Sequence, residues 1–378
     1  MSRRQLYLAE AKGETAKPCV MQSGYRPRAS LWMNRIRFDF QPLSRHSSRK
    51  DNAWGRQMWV KCAAVMSLLA LAACGGNPWV EVDDGGDGGT TGPVVPDELA
   101  KNLNAISYSS TSGGQLRVDL TGLISSGQYA TFTRKATLDI PASGASQNGY
   151  QAFVYQETGT QRAYLAYVAT NARGTLIAAA TADGGQFNTH NGGGTFAQIS
   201  TFTRPTVSEG VETGLFSYAG SYAGVFVPGE WVDTNRPPGL RPAQPWSVSG
   251  EALINASFAT NQVEGGVVNR ALYDSDGNKI NSITLNTTVI DTTELAPISL
   301  ITSTIDENGQ FLGDVELTGK PGSRIGDYGG VFGGIDATDV AGVLVFNPIE
   351  GQSGVWEYGT FNLPRCDLAG ASPICLPR

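Results

Sequence analysis

Charged side chains are scarce in this 378-residue chain, at 16% of all residues, while hydrophobic residues make up 40%. A chain kept unfolded by its charge is therefore excluded, because there is enough apolar material for a core. Histidine is rarer still, with only His46 and His190, and there are five cysteines. No apolar run reaches the roughly 20 residues that a membrane-spanning helix needs. The Gly-x-Ser-x-Gly elbow, the His-Glu-x-x-His zinc motif and the Gly-x-x-x-x-Gly-Lys phosphate loop are missing, and no Ser-x-x-Lys pair follows Cys74. The motif-bearing enzyme classes are thereby mostly removed, and the sequence predicts a non-enzyme with no cofactor and no metal. What the chain has in quantity is glycine, 47 residues, with many Thr, Ser and Val. That composition favours an all-β fold with tight turns.

From Met58 to Cys74 a lysine precedes the short apolar stretch Ala63–Leu71, which ends in Ala72-Ala73-Cys74. This has the layout of a secretory signal peptide. Leu71-Ala72-Ala73-Cys74 resembles the lipobox of bacterial lipoproteins, which implies cleavage before Cys74 and acylation of its sulfur. Residues 58–73 are then the signal peptide, and residues 1–57 a non-structural leader or a mis-assigned start. Residues 1–73 contain 13 of the 28 basic and 4 of the 34 acidic residues, so the mature chain retains 15 basic against 30 acidic groups. Such an acidic surface repels nucleic acid and anionic headgroups. Gly75 after Cys74 is compatible with the outer membrane of a Gram-negative bacterium, at the cell surface or on the periplasmic face.

Residues 74–96, with Asp83-Asp84-Gly85-Gly86-Asp87-Gly88-Gly89 at their centre, read as a lipid anchor and flexible tether. A Gly-rich segment of that length holds a folded body about 25 Å from its anchor. Residues 97–212 read as a smaller N-terminal β domain, with strands near 128–140, 151–156, 162–170 and 175–182 and turns at Asn148-Gly149 and Asp183-Gly184. His190 lies in the polar loop that follows. From Gly214 onward alternation is clear. Ala252, Ile254, Ala256 and Phe258 share one face, as do Phe311, Gly313, Val315 and Leu317. About eight strands between 213 and 364 predict a C-terminal antiparallel up-and-down barrel, whose closure removes exposed edges. The last segment, 365–378, holds Cys366 and Cys375, expected to form a disulfide outside the cytoplasm.

The stretch Gly329-Gly330-Val331-Phe332-Gly333-Gly334-Ile335-Asp336-Ala337-Thr338-Asp339-Val340-Ala341-Gly342-Val343 resembles the signature of the transferrin-binding protein B type β-barrel, shared with factor H binding protein and related surface lipoproteins. Gly330, Phe332, Gly333, Ala337, Asp339 and Gly342 carry the likeness. The family's Pro is missing, Asp339 stands where Glu is usual, and Ala341 replaces a Gly. The resemblance implies the barrel fold and a one-turn helix that Asp336 would cap, with Ala337 close to the barrel and Gly342 permitting backbone approach. It implies a lipoprotein that captures a protein or a small solute, with iron or haem capture among the options. Such contacts lie in variable loops in that family. Here the candidates are His190 and the long connection between the first two barrel strands, with Trp231, Arg236 and Arg241. A structural envelope lipoprotein without soluble ligand, and a carboxylate-dependent hydrolase, remain alternatives.

Overall fold

In the computed structural model, the described residues are 76–79 and 93–375, apart from 111–113, 124–127, 160, 186–188, 208–213, 230–243, 286–287 and 353. Among the described residues the first element is a short helix α1, Asp97–Ala100. Seven strands follow: β1 Leu103–Ser109, β2 Gln115–Leu120, β3 Ala130–Arg134, β4 Gln151–Tyr155, β5 Tyr164–Thr170, β6 Leu176–Asp183 and β7 Gly192–Gln198. They pair in chain order as one antiparallel sheet. Then come β8 Leu215–Val227, β9 Trp246–Ser257, β10 Gln262–Tyr273, the hairpin β11 Ser282–Leu285 and β12 Thr288–Asp291, β13 Ile298–Thr304, β14 Gln310–Leu317, β15 Arg324–Gly333, β16 Asp339–Phe346 and β17 Trp356–Pro364. Eight of these close a barrel in the order β10-β13-β14-β15-β16-β17-β8-β9. This is the expected up-and-down barrel, with the β11–β12 hairpin inserted between neighbours.

The period-two pattern decides which side chains enter the barrel. Ala252, Ile254, Ala256 and Phe258 are all buried in its core, whereas Leu253 is 37% exposed. Phe311, Val315 and Leu317 are buried in the same cluster. Phe332 sits at its centre, with ring centroids 5.3 Å from Tyr218, 5.0 Å from Phe258 and 5.4 Å from Phe311. At the other end Phe226 stacks on Trp246 at 5.6 Å. The interior is therefore filled by aromatic rings, as small barrels require.

The seven-stranded sheet covers one side of the barrel wall. Ala223, Val225 and Val227 of β8, Val331 of β15, Ala341, Val343 and Val345 of β16 and Tyr358 of β17 form one buried cluster with Tyr150, Tyr167, Leu176 and Phe196 of the sheet unit. Sheet and barrel thus share a core, and both fall within one compact unit. Glycines permit the contact. A Cβ at Gly333 would stand 2.6 Å from Leu176, and one at Gly329 would stand 2.6 Å from Leu99. Hydrogen bonds cross the seam: Tyr150 donates to the Ser221 carbonyl at 2.6 Å, and Asn362 Nδ2 donates to the Ala169 carbonyl at 3.1 Å.

Four expectations need correction. The segment 74–96 is not a free tether throughout. Asn77 is buried and donates to the carbonyls of Pro93 at 2.8 Å and Phe196 at 3.1 Å, while Trp79 bridges to Ile106 and Val95 is fully buried. An amide that satisfies two backbone carbonyls and an indole that fills a core outweigh the flexibility of the neighbouring glycines. The strand expected over 128–140 ends at Arg134 and gives way to a 3-10 turn at Ala136–Leu138. Asp183-Gly184 opens an eight-residue connection rather than a two-residue hairpin turn, because Asp183 turns inward and organises that loop. Finally, Asp336 caps no helix. Asp336 and Ala337 adopt positive φ angles of 57° and 51° in a tight turn, which is fastened to the β7–β8 linker by the Asp336 amide donating to Thr203 Oγ1 at 2.8 Å.

Candidate binding site at the barrel rim

Beyond its turn, the signature does structural work. Gly330 and Gly342 lie opposite one another in β15 and β16. A Cβ at Gly330 would come 2.3 Å from the Ala341 carbonyl, and one at Gly342 would come 2.3 Å from the Gly329 carbonyl, so neither position admits a side chain. Ala337 is fully buried beneath Tyr218, whose hydroxyl donates to the Ala337 carbonyl at 2.6 Å. Asp339 is fully buried and pairs with Arg173 at 2.6 Å, and it accepts from Thr338 Oγ1 at 2.8 Å and Thr175 Oγ1 at 3.2 Å. An acid at 339 therefore locks the sheet onto the barrel. These residues position surfaces and present no chemistry of their own.

The histidine is placed differently. Asp183, the last residue of β6, is fully buried and ion-paired with Arg162 at 2.7 Å. Its carboxylate also accepts the amides of Gly185 at 2.7 Å and Asn191 at 3.2 Å, so one acid holds both ends of the 184–191 connection. Arg162 reaches on to Thr189 Oγ1 at 2.6 Å. The loop so fixed carries His190 to the barrel rim, with ring centroids 5.6 Å from Trp356 and 6.0 Å from Tyr358. Lys101 Nζ lies 5.8 Å from the Trp356 ring. Burial lowers the His190 pKa from its ordinary 6.5, opposed by Asp183 and aided by Arg162 and Lys101. The imidazole is thus held neutral at neutral pH, between an indole and a phenol.

A Cβ at Gly185 would meet Gly229 Cα at 3.2 Å, so this loop adjoins the start of the 228–245 connection. Trp231, Arg236 and Arg241, expected there, lie outside the described residues, as does Cys74. Cys366 and Cys375 are bonded, with Cα atoms 5.4 Å apart. Among the described residues no three of His, Cys, Asp and Glu cluster as a metal site would require. The rim offers aromatic faces, a cation and a neutral imidazole, groups that make contacts at protein interfaces.

Sequence reasoning missed the ion pair inside the barrel. Arg270 and Glu357 are both fully buried and paired, Tyr222 donates to Glu357 at 2.7 Å, and Arg270 donates to the Ala296 carbonyl at 2.7 Å. Burial and then Glu357 raise the Tyr222 pKa well above 10, so its hydroxyl remains a donor. The register of β10 against β9 shifts between Val268 and Ala271, with Asn269 at φ 52°. This bulge moves the inward set from Val263 and Val267 to Arg270 and Leu272. A break in alternation after Val267 was the only sign of it in the sequence.

No family model matches the chain, and neither does any curated protein. Solved structures of transferrin-binding protein B type lipoproteins are similar to it. A transferrin-binding protein B double mutant from Haemophilus parasuis Hp5 is 10% identical, with a TM-score of 0.31, over 67% of this chain and 50% of that one. HpuA from Kingella denitrificans, solved in complex with human haemoglobin, is 11% identical, with a TM-score of 0.31, over 80% of this chain and 98% of that one. Transferrin-binding protein B from serogroup B Neisseria meningitidis is 14% identical, with a TM-score of 0.28, over 69% and 51%. This chain spans about half the length of the transferrin-binding proteins it matches.

Proposed function

We propose that the protein is an envelope lipoprotein, anchored through Cys74 to the outer membrane, that binds a protein partner at the barrel rim and catalyses no reaction. One observation carries this reading: the barrel is filled to its axis by Tyr218, Tyr222, Phe226, Trp246 and Phe332, so a ligand must be met on the outside. Outside, the His190, Trp356 and Lys101 cluster supplies the aromatic and cationic groups that dominate protein interfaces. The excess of acids disfavours nucleic acid as that partner.

The test places a photo-crosslinking amino acid at His190 in the full chain and, separately, at Glu307 on the exposed surface of the β13–β14 turn, in intact cells, beside a Cys74→Ser strain. The expected result is a discrete protein adduct from position 190 and none from 307, with acyl labelling and membrane retention lost in Cys74→Ser. Equal labelling at the two positions would remove the rim from consideration. Membrane retention unchanged in Cys74→Ser would remove the anchor.

A further inference from the structure

The sheet covers the wall formed by β8 and β15–β17, and the opposite wall carries exposed apolar side chains. There Leu253 of β9 is 37% exposed, Val268 of β10 44%, Ile301 of β13 36% and Leu312 of β14 41%. Leu253 stands directly across from Gly266 in the β9–β10 pairing, and Gly266 across from Ser299 in the β10–β13 pairing. Alternation turns Leu253 and Gly266 to the same outer face, so the wall has backbone floor where a side chain would otherwise stand. The result is a groove of about 610 Å³, with Leu253, Val268 and Ile301 along it and Ile374 from the disulfide-closed tail at its border. Past Asn255, Glu264 and Thr302 it runs on into a second hollow of about 350 Å³ that reaches Leu215.

The charges on this groove have one sign. Glu251 and Glu264 line it, and among the described residues no Lys or Arg does. Glu251 accepts from Asn269 Nδ2 at 2.6 Å and Glu264 from Thr302 Oγ1 at 2.8 Å. Among the described residues neither carboxylate has a cation within ion-pair distance. The neighbouring wall strands behave otherwise, since Asp314 and Asp327 share Arg324.

We propose that this groove docks a segment of a partner protein in which apolar side chains alternate with lysine or arginine. The apolar residues would cover Leu253, Val268 and Ile301, and the cations would meet Glu251 and Glu264. Complementarity of charge selects this occupant over a bilayer, because anionic headgroups are repelled by the same two acids and the apolar strip is interrupted by them. The site is separate from the rim around His190 and stands or falls independently of it.

The test measures fluorescence anisotropy of a short capped peptide alternating lysine and leucine, with a glutamate and leucine peptide as control, against the full chain in mild detergent. The lysine peptide is expected to bind and the glutamate peptide not. Glu251→Lys with Glu264→Lys, and separately Leu253→Ser with Ile301→Ser, should each weaken binding about tenfold or more. The pair Asp276→Lys with Glu307→Lys, which imposes the same charge change away from the groove, should leave it within about twofold. These positions face solvent, so circular dichroism should show the fold retained in all variants. Absence of binding, or equal loss in the Asp276 and Glu307 pair, would overturn the proposal. So would wild-type binding to phosphatidylcholine vesicles that is lost in Leu253→Ser with Ile301→Ser and indifferent to the glutamates, since the groove would then be a membrane face.

Discussion

Arg270 and Glu357 lie 87 residues apart in the chain and meet as an ion pair with no exposed side-chain surface, closed by the Tyr222 hydroxyl. Two charges withdrawn from water are stable only while each has the other. Glu357→Gln leaves the guanidinium uncompensated in the barrel and should lower the free energy of unfolding by about 3–5 kcal/mol. Arg270→Met combined with Glu357→Leu should recover most of that loss, because an apolar pair of similar volume carries no desolvation cost. Urea midpoints of the two variants check this, and equal instability of single and double variants would contradict it.

The glycines of the signature are a steric requirement. Gly342→Ala places a methyl 2.3 Å from a backbone carbonyl and 2.4 Å from the Phe361 ring, and the strands must separate to admit it. A loss of about 3 kcal/mol or more is expected, in the range of severe overpacking. Gly159→Ala, where an added Cβ meets nothing within 4 Å, should change stability by less than about 0.5 kcal/mol. Thermal denaturation of the two variants side by side separates this account from a general intolerance of glycine replacement.

His190 makes the fold sensitive to mild acid. Its pKa is lowered in the folded state, so the unfolded chain takes up the proton first as pH falls. The stability due to neutral His190 is therefore complete above about pH 7, the unfolded-state range, and declines as pH drops toward the lower folded-state value. His190→Gln should remove that decline. Comparing urea midpoints at pH 7.5 and pH 5, the wild type should lose more than the variant, and an imidazole NMR titration should give a midpoint below 6.5. A midpoint above that value would reverse the sign of the effect.

The Cys366–Cys375 bridge closes a short loop whose first amide donates to the Ser217 carbonyl at 2.8 Å. Cys366→Ser with Cys375→Ser should cost about 2–3 kcal/mol through the freedom restored to the unfolded chain. Denaturation of the oxidised protein with and without a reductant checks the same quantity without mutation.

Much of this architecture could be read in the residues. The faces of β9 and β14 follow directly from alternation, and the eight strands expected between 213 and 364 close the barrel. Legibility stopped where tertiary contacts overrode local rules. The bulge at Asn269 turned Arg270 inward, a displacement that alternation cannot announce. Asn77 sits in a Gly-rich stretch, and its role depends on carbonyls at 93 and 196. The rim was legible only in part. His190 stood out by rarity, but Asp183, Arg162 and Trp356 gather around it through strand pairings that no short motif encodes.

Asn77, held by two carbonyls and itself accepting from Thr195 at 3.0 Å, fixes the length of a leash. Only three residue steps separate it from Cys74, a reach of at most about 11 Å when fully drawn out. Were Cys74 acylated as proposed, the body could not swing on a long stalk. The side of the sheet where β7 grips Asn77 would stay against the headgroups, and the molecule would stand on the envelope in a narrow range of attitudes.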